Sequence, residues 1–188
     1  MGDKIKKWLG LDNKAYGVVS DTVFLGYPDV FETLENAVKK YDINRRYIHV
    51  EITESALTDN IDSLKHAVLR LKDAGYPIRL DDFGSGYSSL NVLKDLEFDV
   101  LKPDMNFLTD LSDNKKAGII IDFVLKMADK IGIHTLTEGV ETGAEADFLQ
   151  KVGCERLQGY LIGRPMPVDE LYKKIADGTY VVDEEYTN

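Results

Sequence analysis

Apolar and polar positions along the chain follow two rhythms. Short apolar, β-rich runs predict strands at Tyr16–Ser20, Tyr47–Glu51, Pro77–Leu80, Val100–Lys102, Ile133–Leu136 and Arg156–Gly159. Between them lie stretches with helical spacing. Phe31, Leu34, Ala37, Val38 and Tyr41 share one face and predict a helix over Phe31–Tyr41. Ile61, Leu64, Ala67, Val68 and Leu71 predict another over Ile61–Ala74, with Gly75 as its stop. Further helices are predicted over Lys115–Ile131, closing at Gly132, over Ala144–Val152 and over Val168–Ala176. Such alternation points to an α/β fold of parallel strands joined by crossover helices. It supplies about six strand–helix units, against the eight of a closed TIM-type barrel. An open doubly wound sheet would give the same alternation. Residues 1–178 are expected to form the domain, and residues 179–188 a polar tail with a frayed end.

The polar residues of interest fall where strands end: Glu51, Asp81 with Asp82, Lys102, Glu138 and Gln158. In a βα barrel those ends build the active face. Neighbours on a strand point to opposite sides, so Asp81 and Asp82 can serve one site only at a strand end or bend. There they could hold hard divalent cations, which prefer oxygen ligands. They equally suit a helix cap or turn. Glu51 could reach a metal, and Glu54 could brace a nearby loop by accepting backbone N–H bonds. Alternatively both are solvated, beside Thr53 or Ser55 as a cap. Lys102 could orient a metal-bound water or balance phosphate charge, or could simply pair with a carboxylate. Glu138 and Glu141 are candidates for metal ligation or proton transfer, or for a helix start favoured by the macrodipole. Gln158 could bind a ligand or water. The segment Asp81–Leu90 (DDFGSGYSSL) is glycine-rich, but it lacks the lysine and spacing of a phosphate loop. His49, His66 and His134 have no metal-ligand spacing and are assigned to structure.

Charge sharpens this picture. The net charge of the 188 residues is −10, which opposes non-specific binding to nucleic acid. An acidic protein that handles a phosphodiester needs cations, and carboxylate-held metal ions supply them. No apolar run reaches bilayer-spanning length, and the opening MGDKIKKWLGLD lacks a secretory apolar core. With Cys154 the only cysteine, no internal disulfide can form, and a cytoplasmic setting is expected.

Taken in order, VEITESAL, RLDDFGSGYSSL, LKPD, TEGVET and GCERLQGYLIGRPMP resemble the motif series of the EAL family, from about Lys6 to Ala176. The resemblance implies a modified TIM barrel whose active members use two Mg²⁺ or Mn²⁺ ions to hydrolyse cyclic di-GMP to linear pGpG. By motif position, Glu51 resembles a first-metal ligand, Asp81 the bridging ligand and Asp82 a second-metal ligand. Lys102 matches the lysine at the catalytic water, and Glu138 the glutamate of the second metal or of proton transfer. Gln158 matches a glutamine near the metal–water cluster. Glu54 matches the anchor of the loop Phe83–Leu90, which in relatives also leads to a dimer surface. Asp104 and Glu141 match further polar positions. There are also departures. The family's opening Glu-Ala-Leu strand and a substrate arginine have no counterpart, and Lys4–Trp8 resembles the helix before the next strand. That strand, Tyr16–Ser20, should present a metal-binding asparagine, and offers Val18, Val19 or Ser20 instead. Pro103 replaces a common apolar residue.

These losses lead us to expect a catalytically impaired member that acts by binding cyclic di-GMP or a protein partner. The alternative is a working phosphodiesterase. An unrelated metal-dependent α/β hydrolase would explain the carboxylates but not the motif series. A barrel short of strands exposes parallel edges. N-terminal residues, Thr179–Val182 or a second copy would cover them, and a homodimer is expected.

Overall fold

The computed structural model describes residues 17–20, 30–57, 61–86, 89–104, 106–109 and 115–179. The predicted Lys4–Trp8 helix, Tyr16 and residues 180–188 lie outside the described residues. Six strands form one parallel array: β1 (Gly17–Ser20), β2 (Ile48–Thr53), β3 (Ile78–Phe83), β4 (Val100–Pro103), β5 (His134–Thr137) and β6 (Arg156–Leu157). Their spatial order is their sequence order. A doubly wound sheet reverses its order at a switch point, so the consecutive order favours the barrel-type winding over that alternative.

The helices are α1 (Val30–Tyr41), α2 (Ile61–Asp73), α3 (Ser89–Asp95), α4 (Asn106–Thr109), α5 (Lys115–Lys130), α6 (Gly143–Lys151) and α7 (Val168–Ala176). Two of them, α3 and α4, have no counterpart in the periodicity. Among the residues of α3 whose burial is described, only Val92 is buried, with Leu96 just beyond its end. That is too little repeat to read as a helix. β2 runs to Thr53, two residues past the predicted end, and β6 stops at Leu157, so Gln158 follows the strand.

Alternation along the strands divides the sheet into two faces. Val50, Ile52, Ile78, Leu80 and Leu101 point to the helices and join Val38, Val68, Leu71 and Val92 in the main core. A second cluster packs Ile121 and Leu125 of α5 against Val140 and Leu149. The intervening strand positions, Glu51, Arg79, Asp81 and Lys102, are polar and face the other way. One face of the sheet is thus conventional core, and the other is reserved for charge.

At the entry to the strands, Glu35 of α1 ties three segments together. It accepts from Arg45 Nε at 2.6 Å and Nη2 at 2.7 Å, and from the Tyr76 hydroxyl at 3.0 Å. The Arg45 bonds hold its carboxyl down at about 2, from an ordinary 4.5. A depressed carboxylate stabilises the fold above its unfolded pKa, and that contribution is lost as pH falls through the folded value. Stability should therefore decline from about 4.5 towards about 2. In Glu35→Gln this acid dependence should flatten and stability near neutrality should drop, read from urea midpoints at about pH 3 and about pH 6.

Candidate active site at the strand ends

The site begins with an irregularity. The β3–β4 register shifts between Leu80 and Phe83, and Asp82 adopts a left-handed backbone with φ 54°. For a residue with a side chain this costs about 1–3 kcal/mol. A bulge of this kind re-aims a side chain, and here it turns the Asp82 carboxylate towards that of Asp81. The Asp82 N–H donates to Asp81 Oδ1 at 3.0 Å, which helps to fix the bend. Carboxylate oxygens of Asp81, Asp82 and Glu138 all lie within 4.8 Å of one another. Burial, then the charges of Asp81, Asp104 and Glu138, raise the Asp82 pKa above its ordinary value.

Lys102 of β4 stands at the centre. Its side chain is 4% exposed, and Nζ lies 3.2 Å from Glu51 Oε1, 3.0 Å from Asp81 Oδ1 and 3.0 Å from Glu138 Oε2. Burial alone would favour the neutral amine. The neighbouring Asp81 and Glu51 charges, with hydrogen bonds to Asp81 and Glu138, outweigh it, so the pKa is raised and the ammonium persists.

Next to Glu51 lies a pair, Arg79 and His49, to which the sequence assigned no role in the site. Arg79 Nη1 donates to Glu51 Oε1 at 3.2 Å, and its Nε donates to His49 Nδ1 at 3.0 Å. Burial and then the charges of Arg79 and Arg156 push His49 down to about 4. The imidazole is therefore neutral near pH 7 and free to accept at Nδ1. One signal pointed to Arg79. It sits two residues before Asp81, on the same face of one strand.

Glu54 is 1% exposed. Its Oε2 accepts from Gly84 N–H at 2.9 Å and Gly86 N–H at 3.0 Å, while its own N–H donates to the Asp81 carbonyl at 3.0 Å. A Cβ at Gly86 would lie 3.0 Å from Glu54 Oε1, so glycine permits the close approach. Asp104 is buried next to the cluster, and its Oδ1 accepts from Asn106 N–H at 2.7 Å, at the start of α4.

Gln158 is exposed. Its N–H donates to Thr137 O at 2.8 Å and its carbonyl accepts from Val140 N–H at 3.1 Å, which sets it beside the segment carrying Glu138. Gly159 presses so closely on Val140 that an added Cβ would lie 2.2 Å from the Val140 carbonyl oxygen. Glu141 is exposed, and no bond of its side chain joins it to the cluster. The helix-start carboxylate here is Glu145, which forms a capping box with Thr142 and accepts from the N–H groups of Glu141 and Thr142. His134 bonds Glu155 at 2.7 Å.

The strand ends thus bring Glu51, Asp81, Asp82, Lys102 and Glu138 to one mouth, with Glu54 and Asp104 behind it. Asp81, Asp82 and Glu138 form a set of hard oxygen donors that fits a cation such as Mg²⁺ or Mn²⁺. Glu51 does not join that set; unlike Asp81 and Glu138, which also pair with Lys102, it carries Arg79 on its Oε1 as well.

Parallel strands in consecutive order, with polar residues gathered at one mouth, define a TIM-barrel-like α/β protein. Residues 23–165 match the EAL domain model, and the chain belongs to the EAL family. It is 35% identical over 147 residues to the cyclic di-GMP phosphodiesterase NbdA of Pseudomonas aeruginosa, covering 78% of this chain and 19% of NbdA. The chain thus spans about a fifth of the length of such curated relatives. Its fold is similar to that of the PaMucR phosphodiesterase in a c-di-GMP complex, with TM-score 0.81 and 30% identity over 90% of this chain and 70% of that one. Similarity extends to Klebsiella pneumoniae BlrP1 in a manganese/cy-diGMP complex, with TM-score 0.77 and 28% identity over 86% of this chain and 41% of that one. The TIM-barrel-like α/β fold is therefore that of EAL proteins, and the chain is a homologue of cyclic di-GMP phosphodiesterases.

Glu54→Ala should strand the Gly84 and Gly86 N–H groups and destabilise the protein by about 1–3 kcal/mol, measured by urea unfolding. Hydrogen exchange at those two amides should rise with it.

Proposed function

We propose that the domain binds cyclic di-GMP at this mouth, over a Mg²⁺ or Mn²⁺ ion held by Asp81, Asp82 and Glu138, and that its hydrolytic step is impaired. It acts in the cytoplasm by binding nucleotide or a protein partner. The bound ion would polarise a phosphoryl oxygen and lower the pKa of a water molecule. Lys102, held as an ammonium, orients a water or phosphate oxygen. Glu138 is the proposed proton acceptor. Gln158, Asp104 and Glu141 are the polar groups proposed to contact nucleotide or water.

Family membership and the convergence of three carboxylates support nucleotide binding. The register of β1 carries the impairment. Ser20 pairs with Glu51 across β1 and β2, and the strand Gly17–Ser20 contains no asparagine. EAL proteins are expected to present a metal-binding amide from this strand. Loss of even an outer partner of a metal ligand typically costs about 10–100-fold, and loss of a direct ligand should cost more. The competing reading is a working phosphodiesterase. It draws on the intact grouping of Asp81, Asp82, Lys102 and Glu138.

Calorimetry with cyclic di-GMP and Mn²⁺ should show metal-dependent binding that Asp81→Asn abolishes, with little pGpG formed over the same period. Ready turnover that disappears in Asp81→Ala would instead establish the working enzyme.

We also propose a homodimer. β1 and β6 end the sheet among the described residues, and α5 exposes Ile119, Ile120 and Phe123. Light scattering after size exclusion should give twice the chain mass, and a well-folded monomer would count against the assembly.

A further inference from the structure

We infer that Arg79 is a built-in cation on the Glu51 side of the mouth, so that the domain holds one divalent ion rather than two. This inference rests on the reading of Asp81, Asp82 and Glu138 as a cation-binding set. Three observations carry it.

Glu51 Oε1 is engaged by two cations at once, Arg79 Nη1 at 3.2 Å and Lys102 Nζ at 3.2 Å. Both side chains are enclosed, 12% exposed for Arg79 and 4% for Lys102. A metal ion on that oxygen would sit against two fixed positive charges with little water to screen them.

Arg79 is also pinned from behind. Its Nε bond to His49 Nδ1 at 3.0 Å uses the other edge of a rigid fork, so releasing Glu51 means breaking two contacts of one planar group. A guanidinium cannot escape by losing its proton, as a buried lysine can. His49 lies on β2, two residues before Glu51. One strand therefore supplies both acceptors of the fork, and β3 supplies the donor.

Among the described residues, the carboxylates close enough to share an ion are Asp81, Asp82 and Glu138, and Glu51 is not among them. The mouth is thus divided. One side has three carboxylates assembled by the Asp82 bend. The other has Glu51. Lys102 pairs with carboxylates on both sides, but only Glu51 carries a second fixed cation, the Arg79 guanidinium. Two-metal phosphodiester chemistry places an ion at both the attacking and the leaving oxygen. A fixed guanidinium can hold a phosphate oxygen but cannot generate a hydroxide, which fits a site that retains nucleotide without turning it over.

The test is to count Mn²⁺ bound per chain, by electron paramagnetic resonance of free Mn²⁺ together with calorimetry. Wild-type protein should bind one ion, with no spin-coupled pair signal. Asp82→Asn should weaken that ion by about 10-fold or more. Arg79→Met, which keeps the length of the side chain and removes the charge, should admit a second ion at Glu51, held more weakly because β1 offers no asparagine. Two ions and a coupled signal in the wild type would overturn the inference while leaving the proposed nucleotide site standing. A folded Arg79→Met protein that still binds one would overturn the stand-in role. Absence of any bound Mn²⁺ would end both readings. If Arg79→Met fails to fold, the wild-type count alone decides.

Discussion

A buried ammonium needs carboxylates, and most of the polar architecture follows from that need. Lys102 would be very costly to enclose alone. Its three partners come from β2, from β3 and from the segment after β5. Each lies in the C-terminal half of its strand or just past it, and the order of the strands sets their separation. The apolar face of the same sheet fixes those strands, since Val50, Ile52, Ile78, Leu80 and Leu101 are almost fully enclosed by helices. Packing on one face thus positions charge on the other.

The charges also sort themselves by depth. Asp82 and Glu138 are the more open members, and Lys102, Glu51, Arg79 and His49 the more enclosed. The interior positions of a TIM barrel are usually filled by branched apolar side chains. Here a neutral imidazole and a guanidinium fill part of that space. Satisfaction of the Glu51 carboxylate by Arg79 is what allows so much polarity inside.

Much of this is legible in the sequence. The six strands and five of the helices follow from apolar runs and helical spacing, because each buries a face large enough to leave a repeat. Asp81 and Asp82 signal a bend, since adjacent residues of a regular strand cannot share a site. The role of Glu54 as a brace is legible from its place where strand gives way to loop and from its motif position. What the sequence hides is set by tertiary contact. The length of β2 past Glu51 depends on its pairing with β3. The short helix Ser89–Asp95 carries too few buried residues to show a period. Arg79 reads as an ordinary strand residue until its neighbour across the sheet is known to be Glu51.

The left-handed backbone of Asp82 has a consequence for how this position can change. A β-branched replacement would lose the carboxylate and fit the bend poorly, so chemistry and folding would fail together. Asparagine tolerates the same backbone with a neutral amide, and glycine adopts it freely. A chain drifting away from metal binding would thus find glycine at this site stabilising. Relief of strain and loss of ligation lie along the same mutational path, which makes residue 82 a place where an EAL protein can gain stability by surrendering its ion.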